Sequence, residues 1–152
     1  KLTKSSILNL DYSNCNFHGR INPNKLNEYY RQCDIQLHLS IFDPCPNVVV
    51  EGLASGLPII TPAESGACEL IGEENYEWSV EENIKMEYLE LHTDEKIPQI
   101  PIEEYKNKII EIYEDIKINK QKARFQAEKN LDIKMIANQY NDFFNRVIEH
   151  EK

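Results

Sequence analysis

The spacing of hydrophobic and polar residues in the first half of the chain predicts short strands that alternate with short helices. The pattern predicts strands at 16–18, 35–39 and 58–61, a helix that begins at Pro23, and helices over 47–55 and 67–71. The run at 35–39 alternates apolar and polar side chains, which favours a strand buried mainly on one face. This alternation of elements predicts an α/β fold built on a parallel, doubly wound sheet.

The helix over 47–55 is predicted against its local propensity. Three consecutive valines, Val48 to Val50, are poor helix formers and by themselves favour a strand. However, Pro46 lies at or just before the first turn of the predicted helix, where the missing N–H of a proline has no cost. Gly56 lies just after its last residue, where a glycine often caps a helix. We therefore expect a helix that begins near Pro46 and stops before Gly56.

The second half of the chain has a different character. Residues 72–99 are acidic and irregular, with a predicted edge strand near 87–91. Two amphipathic helices are predicted over 102–122 and 132–150, because apolar residues recur there at helical spacing. A length of 152 residues allows one domain. We therefore read 1–152 as a single domain whose C-terminal helices occupy 102–152.

Composition narrows the function classes. The formal net charge of −9 argues against a nucleic-acid partner, because a surface that follows phosphates needs clustered lysine and arginine. Four scattered cysteines show neither a metal-binding spacing nor a disulfide framework, so reduced thiols in the cytoplasm are expected. No apolar run reaches the length of a signal peptide or a membrane span.

Residues 40–71 carry the most specific motif. Two acids, Asp43 and Glu51, are separated by seven residues. Glu51 lies within the predicted helix over 47–55, which leads through Gly56-Leu57-Pro58 into a strand. This segment resembles the donor-binding segment of glycogen-synthase-like retaining glycosyltransferases (glycosyl transferases group 1, family 4). Their pattern is Glu-x7-Glu followed by a small-residue helix and Gly-x-Pro. Here Asp43 replaces the first glutamate, and Gly52 stands where alanine is usual.

The resemblance implies a particular architecture. It identifies the chain as part of the C-terminal half of a two-domain GT-B enzyme, with a Rossmann-like parallel sheet truncated at its N-terminal side. The chain begins with Lys1 rather than methionine, which also favours a piece of a longer protein. The acceptor-binding N-terminal domain is then missing, as are an arginine and a lysine that neutralise the donor diphosphate in this family.

The resemblance also assigns roles. Glu51 is expected to hold the ribose of a UDP- or GDP-sugar, and Asp43 the transferred sugar. The other expected donor-binding residues are Gly19 and Arg20 near the base, Cys45, Pro46, Asn47 and Val48 at the helix start, and Ser65 and Gly66 near the diphosphate. No metal or other cofactor is expected. The implied reaction is hexosyl transfer with retention, in the synthesis of a surface polysaccharide or glycolipid.

The residues themselves support part of this reading. Loops that follow parallel strands lie at the edge where α/β sheets bind ligands, and a carboxylate can accept hydrogen bonds from a ribose diol. Each acid taken alone also has a structural explanation. Asp43 could simply stabilise a turn, and Glu51 could simply interact favourably with the helix dipole near the start of the helix.

Two other functions remain open. The departures at Asp43 and Gly52 fit a non-catalytic partner subunit, and a sugar-nucleotide epimerase of similar architecture is a further alternative. The acidic charge predicts no direct contact with anionic lipid, so any attachment to the inner membrane face would come from the absent half.

Overall fold

The computed structural model describes residues 13–82 and 100–150. In chain order these contain α1 Pro23–Gln32, β1 Gln36–Leu37, α2 Asn47–Ala54, β2 Ile59–Pro62, α3 Gly66–Ile71, a 3₁₀ helix Glu73–Trp78, β3 Ser79–Val80, α4 Ile102–Glu114, α5 Ile116–Asn130 and α6 Ile133–His150. The predicted edge strand at 87–91 lies outside the described residues.

The described strands form one parallel sheet in the order β1-β2-β3. Gln36 pairs with Ile59 across β1 and β2, and Thr61 pairs with Ser79 across β2 and β3. The central strand β2 is buried along its whole length, as a strand covered on both faces should be. The prediction of an α/β fold with a parallel sheet is confirmed.

Helix α2 forms where three valines favoured a strand. Val49 and Leu53 are fully buried and lie four residues apart, so one face of the helix supplies the core. The helix ends in a Schellman motif, in which Leu57 N–H bonds Gly52 C=O and Gly56 N–H bonds Leu53 C=O, both at 2.9 Å. Gly56 has φ +78°, which only glycine adopts without strain. Tertiary packing and this cap outweigh the weak local propensity.

The C-terminal helices close the core on both sides. Helix α4 buries Tyr105 and Ile112 beside β2 and β3, and α5 packs across α2 through Ala123 and Ala127. Both of these buried residues are small, and Arg124 of α5 also contacts α2, where its Nη1 donates to Ala54 C=O. Trp78 at the end of the 3₁₀ helix is fully buried, and its Nε1 donates to Asn119 Oδ1 at 3.4 Å. It is a packing residue.

Two predicted elements are wrong. Residues 16–18 form no strand, and Phe17 is 78% exposed, because so short an apolar run finds no neighbouring strand among the described residues. The helix predicted over 102–122 ends at Glu114, and a separate helix then continues to Asn130. Asn119 stabilises the bend between them by donating from Nδ2 to Ile112 C=O at 3.0 Å. The helical spacing of apolar residues continues across the bend, so the pattern does not reveal it.

The predicted helix over 132–150 is confirmed as α6, which begins one residue later, at Ile133. Its apolar residues, Tyr140, Phe143, Phe144, Val147 and Ile148 among them, are exposed in the described structure. None of the helices within 13–82 and 100–150 combines the length and the apolar character that a membrane span requires.

Candidate functional site

Asp43 lies in the loop that leads from β1 to α2. The side chain is half-buried, and its Oδ1 accepts a hydrogen bond from Cys45 N–H at 3.3 Å. This contact between an aspartate and the backbone two residues later shapes the loop. The Cys45 thiol beside it is free and exposed. Asp43 is thus held next to the start of α2, as the sequence predicted.

The start of α2 is open to solvent. Pro46 is buried in the N-cap position, and no side chain caps the helix. Asn47 and Val48 in the first turn are exposed. The positive end of the helix dipole therefore faces the same side as the loop that carries Asp43.

Glu51 lies one turn further along α2, in a groove between α1 and α2. Its Oε2 accepts a hydrogen bond from the Tyr30 hydroxyl of α1 at 3.0 Å. Its Oε1 has no hydrogen-bond partner among the described residues. The groove has a volume of about 370 Å³ and is lined by Pro23, Leu26, Asn27 and Tyr30 on one side and by Glu51, Ala54 and Ser55 on the other.

The environment of Tyr30 keeps its hydroxyl protonated. Partial burial, the hydrogen bond to Glu51 and the charge of that carboxylate together raise the pKa of Tyr30 to about 12, with burial as the largest cause. At neutral pH Tyr30 therefore remains a donor to Glu51.

Ser65 and Gly66 form the turn from β2 into α3. The Ser65 hydroxyl donates to Pro62 C=O at 2.8 Å and lies 2.8 Å from the Thr61 hydroxyl, so this side chain already has two protein partners. Gly66 lies against the backbone of Pro44: a Cβ on Gly66 would stand 2.2 Å from the Pro44 carbonyl oxygen. Gly66 therefore occupies a tight backbone position.

A cavity of about 460 Å³ opens beside this turn. Ser65 and Gly66 line it together with three acids, Glu64, Glu69 and Glu73, and none of its described lining residues is a cation. Cys68 also lines it, and burial raises the pKa of this thiol. A diphosphate placed here would therefore need positive charge from another part of the protein.

Gly19 and Arg20 lie in the exposed loop before α1. Gly19 has φ +60°, with open space around the position that a Cβ would take. Arg20 is exposed and forms no ion pair with another described residue.

The predicted site residues lie in four parts of the structure. These are the loop of Asp43 with the start of α2, the turn of Ser65 and Gly66, the groove of Glu51, and the loop of Gly19 and Arg20. Contact between Pro44 and Gly66 joins the loop of Asp43 to the turn of Ser65 and Gly66. Glu51 instead faces the groove between α1 and α2, which Asp43 does not line. Within 13–82 and 100–150, no three His, Cys, Asp or Glu side chains are placed to share a metal ion.

Sequence reasoning missed two residues that support α2. Tyr30 lies in the helix that the sequence predicts from Pro23, but the contact of its hydroxyl with Glu51 was not predicted. Gln36 of β1 projects beneath α2, where its Nε2 donates to Val48 C=O at 3.0 Å and its Oε1 is buried without a partner. Gln36 occupies a polar position of the alternating run at 35–39, so the pattern favoured exposure of its side chain and carried no signal for this buried contact.

Gln36 also explains the glycine that departs from the family pattern. A Cβ on Gly52 would stand 2.0 Å from Gln36 Oε1 and 2.9 Å from Ile59 Cδ1. Gln36 therefore fills the volume that an alanine at position 52 would occupy. Gly52 and Gln36 form an interlock between α2 and β1.

We expect Gly52→Ala to lower the free energy of unfolding by about 1–3 kcal/mol, because the new methyl group displaces Gln36 and breaks its bond to Val48. The better helix propensity of alanine offsets at most about 1 kcal/mol of this loss. Urea unfolding monitored by the fluorescence of Trp78, the only tryptophan of the chain, measures the change.

The matched control is the same substitution in a Gln36→Ala background. There the methyl group has room on the side of β1, so the cost of Gly52→Ala should fall and the two substitutions should show a favourable coupling energy. An equal cost in both backgrounds would show that the interlock does not determine the tolerance of position 52.

The fold and the placement of these residues define a class of protein. Parallel strands followed by helices, with polar side chains on the loops after the strands, are typical of Rossmann-like domains that bind ligands at the carboxyl edge of the sheet. The chain matches the family Glycosyl transferases group 1 over residues 1–111, and it therefore belongs to that family. No curated protein and no solved structure matches the chain.

Proposed function

We propose that this chain is the donor-binding part of a retaining glycosyltransferase of the GT-B, glycogen-synthase-like kind, which transfers a hexose from a UDP- or GDP-sugar. Membership of the group 1 family supports sugar transfer in general. The observation that carries the finer proposal is the Glu51 carboxylate, which faces the groove between α1 and α2 with Oε1 open to a ligand.

The chemistry of Glu51 suits a ribose. An ionised carboxylate only accepts hydrogen bonds, and its two oxygens can accept from two adjacent hydroxyl groups at once. The 2′ and 3′ hydroxyls of a ribonucleotide are such a pair. Glu51 is exposed on a helix that begins at the carboxyl edge of the sheet, so a nucleotide bound at that edge can reach it.

Asp43 and the start of α2 would hold the transferred sugar. Asp43 supplies a carboxylate to sugar hydroxyls, and the uncapped first turn of α2 supplies backbone N–H donors. The described lining of the acidic cavity beside Ser65 contains no cation. A diphosphate bound there would therefore need the expected arginine and lysine to neutralise its charge. We propose that these two cations, and the acceptor site, are supplied by residues outside the described lining of this cavity.

The proposed enzyme works without a metal ion, on the cytoplasmic side of a membrane, in the synthesis of a surface polysaccharide or glycolipid. The formal net charge of −9 disfavours direct contact between this chain and anionic lipid. Any membrane attachment is therefore assigned to the acceptor-binding half.

The test is turnover of the full-length protein with a panel of UDP-, GDP- and ADP-hexoses. Proton NMR follows the anomeric signal of the first sugar released to water or to an added acceptor, and a parallel reaction contains EDTA. We expect an α-linked donor to give an α-configured first product at a rate that EDTA leaves unchanged. A β-configured first product would rule out retention, and loss of turnover in EDTA would rule out metal-free transfer.

A further inference from the structure

Tyr30 contacts Glu51 from the opposite wall of the groove. Tyr30 lies on α1, twenty-one residues before Glu51, and its hydroxyl donates to Oε2 at 3.0 Å. Both side chains line the groove. The contact therefore joins two helices at the point where the groove is open to a ligand.

A hydrogen bond of this kind restricts the carboxylate. A glutamate on a helix surface samples several side-chain rotamers, and ordering such a side chain on binding costs about 0.5–1.5 kcal/mol. A donor fixed to one oxygen removes most of that freedom before a ligand arrives. It also leaves Oε1, and the second lone pair of Oε2, directed away from Tyr30.

We propose that Tyr30 is a positioning residue for recognition of the nucleotide ribose: it holds Glu51 in one orientation, so that the carboxylate is ready to accept from the 2′,3′-diol. The inference rests on the proposed function, because it takes the ligand of Glu51 to be a ribose. Tyr30 acts through Glu51 and need not touch the nucleotide.

The burial of Tyr30 fits this role. The side chain is half-buried between α1 and α2 and belongs to the layer packed against the core, so its ring is fixed more firmly than the exposed Glu51. A firmly held donor orders a mobile acceptor, whereas two mobile partners would order each other only weakly. A purely structural contact between α1 and α2 predicts a different outcome, since it would stabilise the fold without regard to the sugar of the nucleotide.

Titration calorimetry on the full-length protein separates these roles. The probes are UDP, GDP and ADP, followed by the 2′,3′-dideoxy counterpart of whichever binds most tightly. The variants are Tyr30→Phe, Glu51→Gln and the double variant. Tyr29→Phe is the matched control, because it removes a hydroxyl from the adjacent residue of the same helix, whose ring packs edge-on against His18.

We expect Tyr30→Phe to weaken binding of the ribonucleotide about 3- to 10-fold, the range of a net hydrogen-bond contribution. It should leave the affinity for the dideoxynucleotide unchanged, and it should add almost no loss in the Glu51→Gln background. Tyr29→Phe should bind both probes as the unmodified protein does. The ratio of the two affinities is the decisive readout, because a general loss of stability would change both alike.

Four results would overturn the inference. If Tyr30→Phe weakens both probes equally, or weakens neither while Glu51→Gln weakens the ribonucleotide, Tyr30 has no role in ribose recognition and the proposed function stands. If Glu51→Gln leaves ribonucleotide binding intact, or if no probe binds, the assignment of Glu51 in the proposed function fails and the inference about Tyr30 fails with it.

Discussion

We expect Glu51→Gln to lower the affinity of the intact enzyme for a nucleoside diphosphate and for the matching sugar nucleotide by the same factor, about 10- to 150-fold. The proposed role of Glu51 is to accept hydrogen bonds from the ribose, which both ligands contain. Loss of a charged acceptor typically costs about 1.5–3 kcal/mol, which corresponds to that range of affinity. Titration calorimetry with both ligands measures the two factors.

Asp43→Asn is the comparison variant, because Asp43 is proposed to contact only the transferred sugar. It should spare binding of the nucleoside diphosphate and lower turnover of the sugar nucleotide. Equal losses of both ligands would contradict the role of Asp43. If Glu51→Gln changes the affinity for neither ligand, the chain fits a non-catalytic partner subunit better than a transferase.

Gly66→Ala should destabilise the fold by about 3 kcal/mol or more, at the upper end of the cost of overpacking. The new methyl group would meet three backbone atoms of Pro44, at 2.2 Å from O, 2.5 Å from C and 2.6 Å from Cα. A backbone cannot swing away as the end of a side chain can, so the loop that carries Asp43 must move. Urea unfolding followed by Trp78 fluorescence measures the loss.

Gly19→Ala is the control for this substitution. Gly19 has φ +60° but open space around it, so alanine there adds only conformational strain, about 1–2 kcal/mol. A Gly66→Ala variant no less stable than Gly19→Ala would show that the contact with Pro44 relaxes easily. In that case the loop of Asp43 and the turn of Ser65 are not rigidly joined.

The sequence predicts those elements in which local signals agree with tertiary packing. Pro46 and Gly56 mark both ends of α2, and the structure places the helix between them despite the valines. Ile59 and Ile60 give the central strand its continuous burial. The bend at Asp115 could not be predicted, because it depends on Asn119, whose side chain bonds Ile112 and Trp78 in different elements.

The residues of the candidate site also divide into those that the sequence identifies and those that only the structure reveals. The motif that contains Asp43 and Glu51 is local in sequence, so both could be named from its resemblance to the family pattern. Tyr30 and Gln36 act on α2 from other elements, and only the three-dimensional arrangement brings them within hydrogen-bonding distance. The roles of all the named site residues, Asp43 and Glu51 included, remain predictions, since they depend on a ligand.

The interlock of Gly52 with Gln36 imposes an order on divergence within the family. A lineage that moves from glycine towards alanine at position 52 should lose less stability if residue 36 is shortened first, because the reverse order passes through the clash with Gln36 Oε1. The same dependence affects chimaeras. An α2 segment transplanted from a relative with alanine at this position should be accepted only when its own β1 segment is transferred with it.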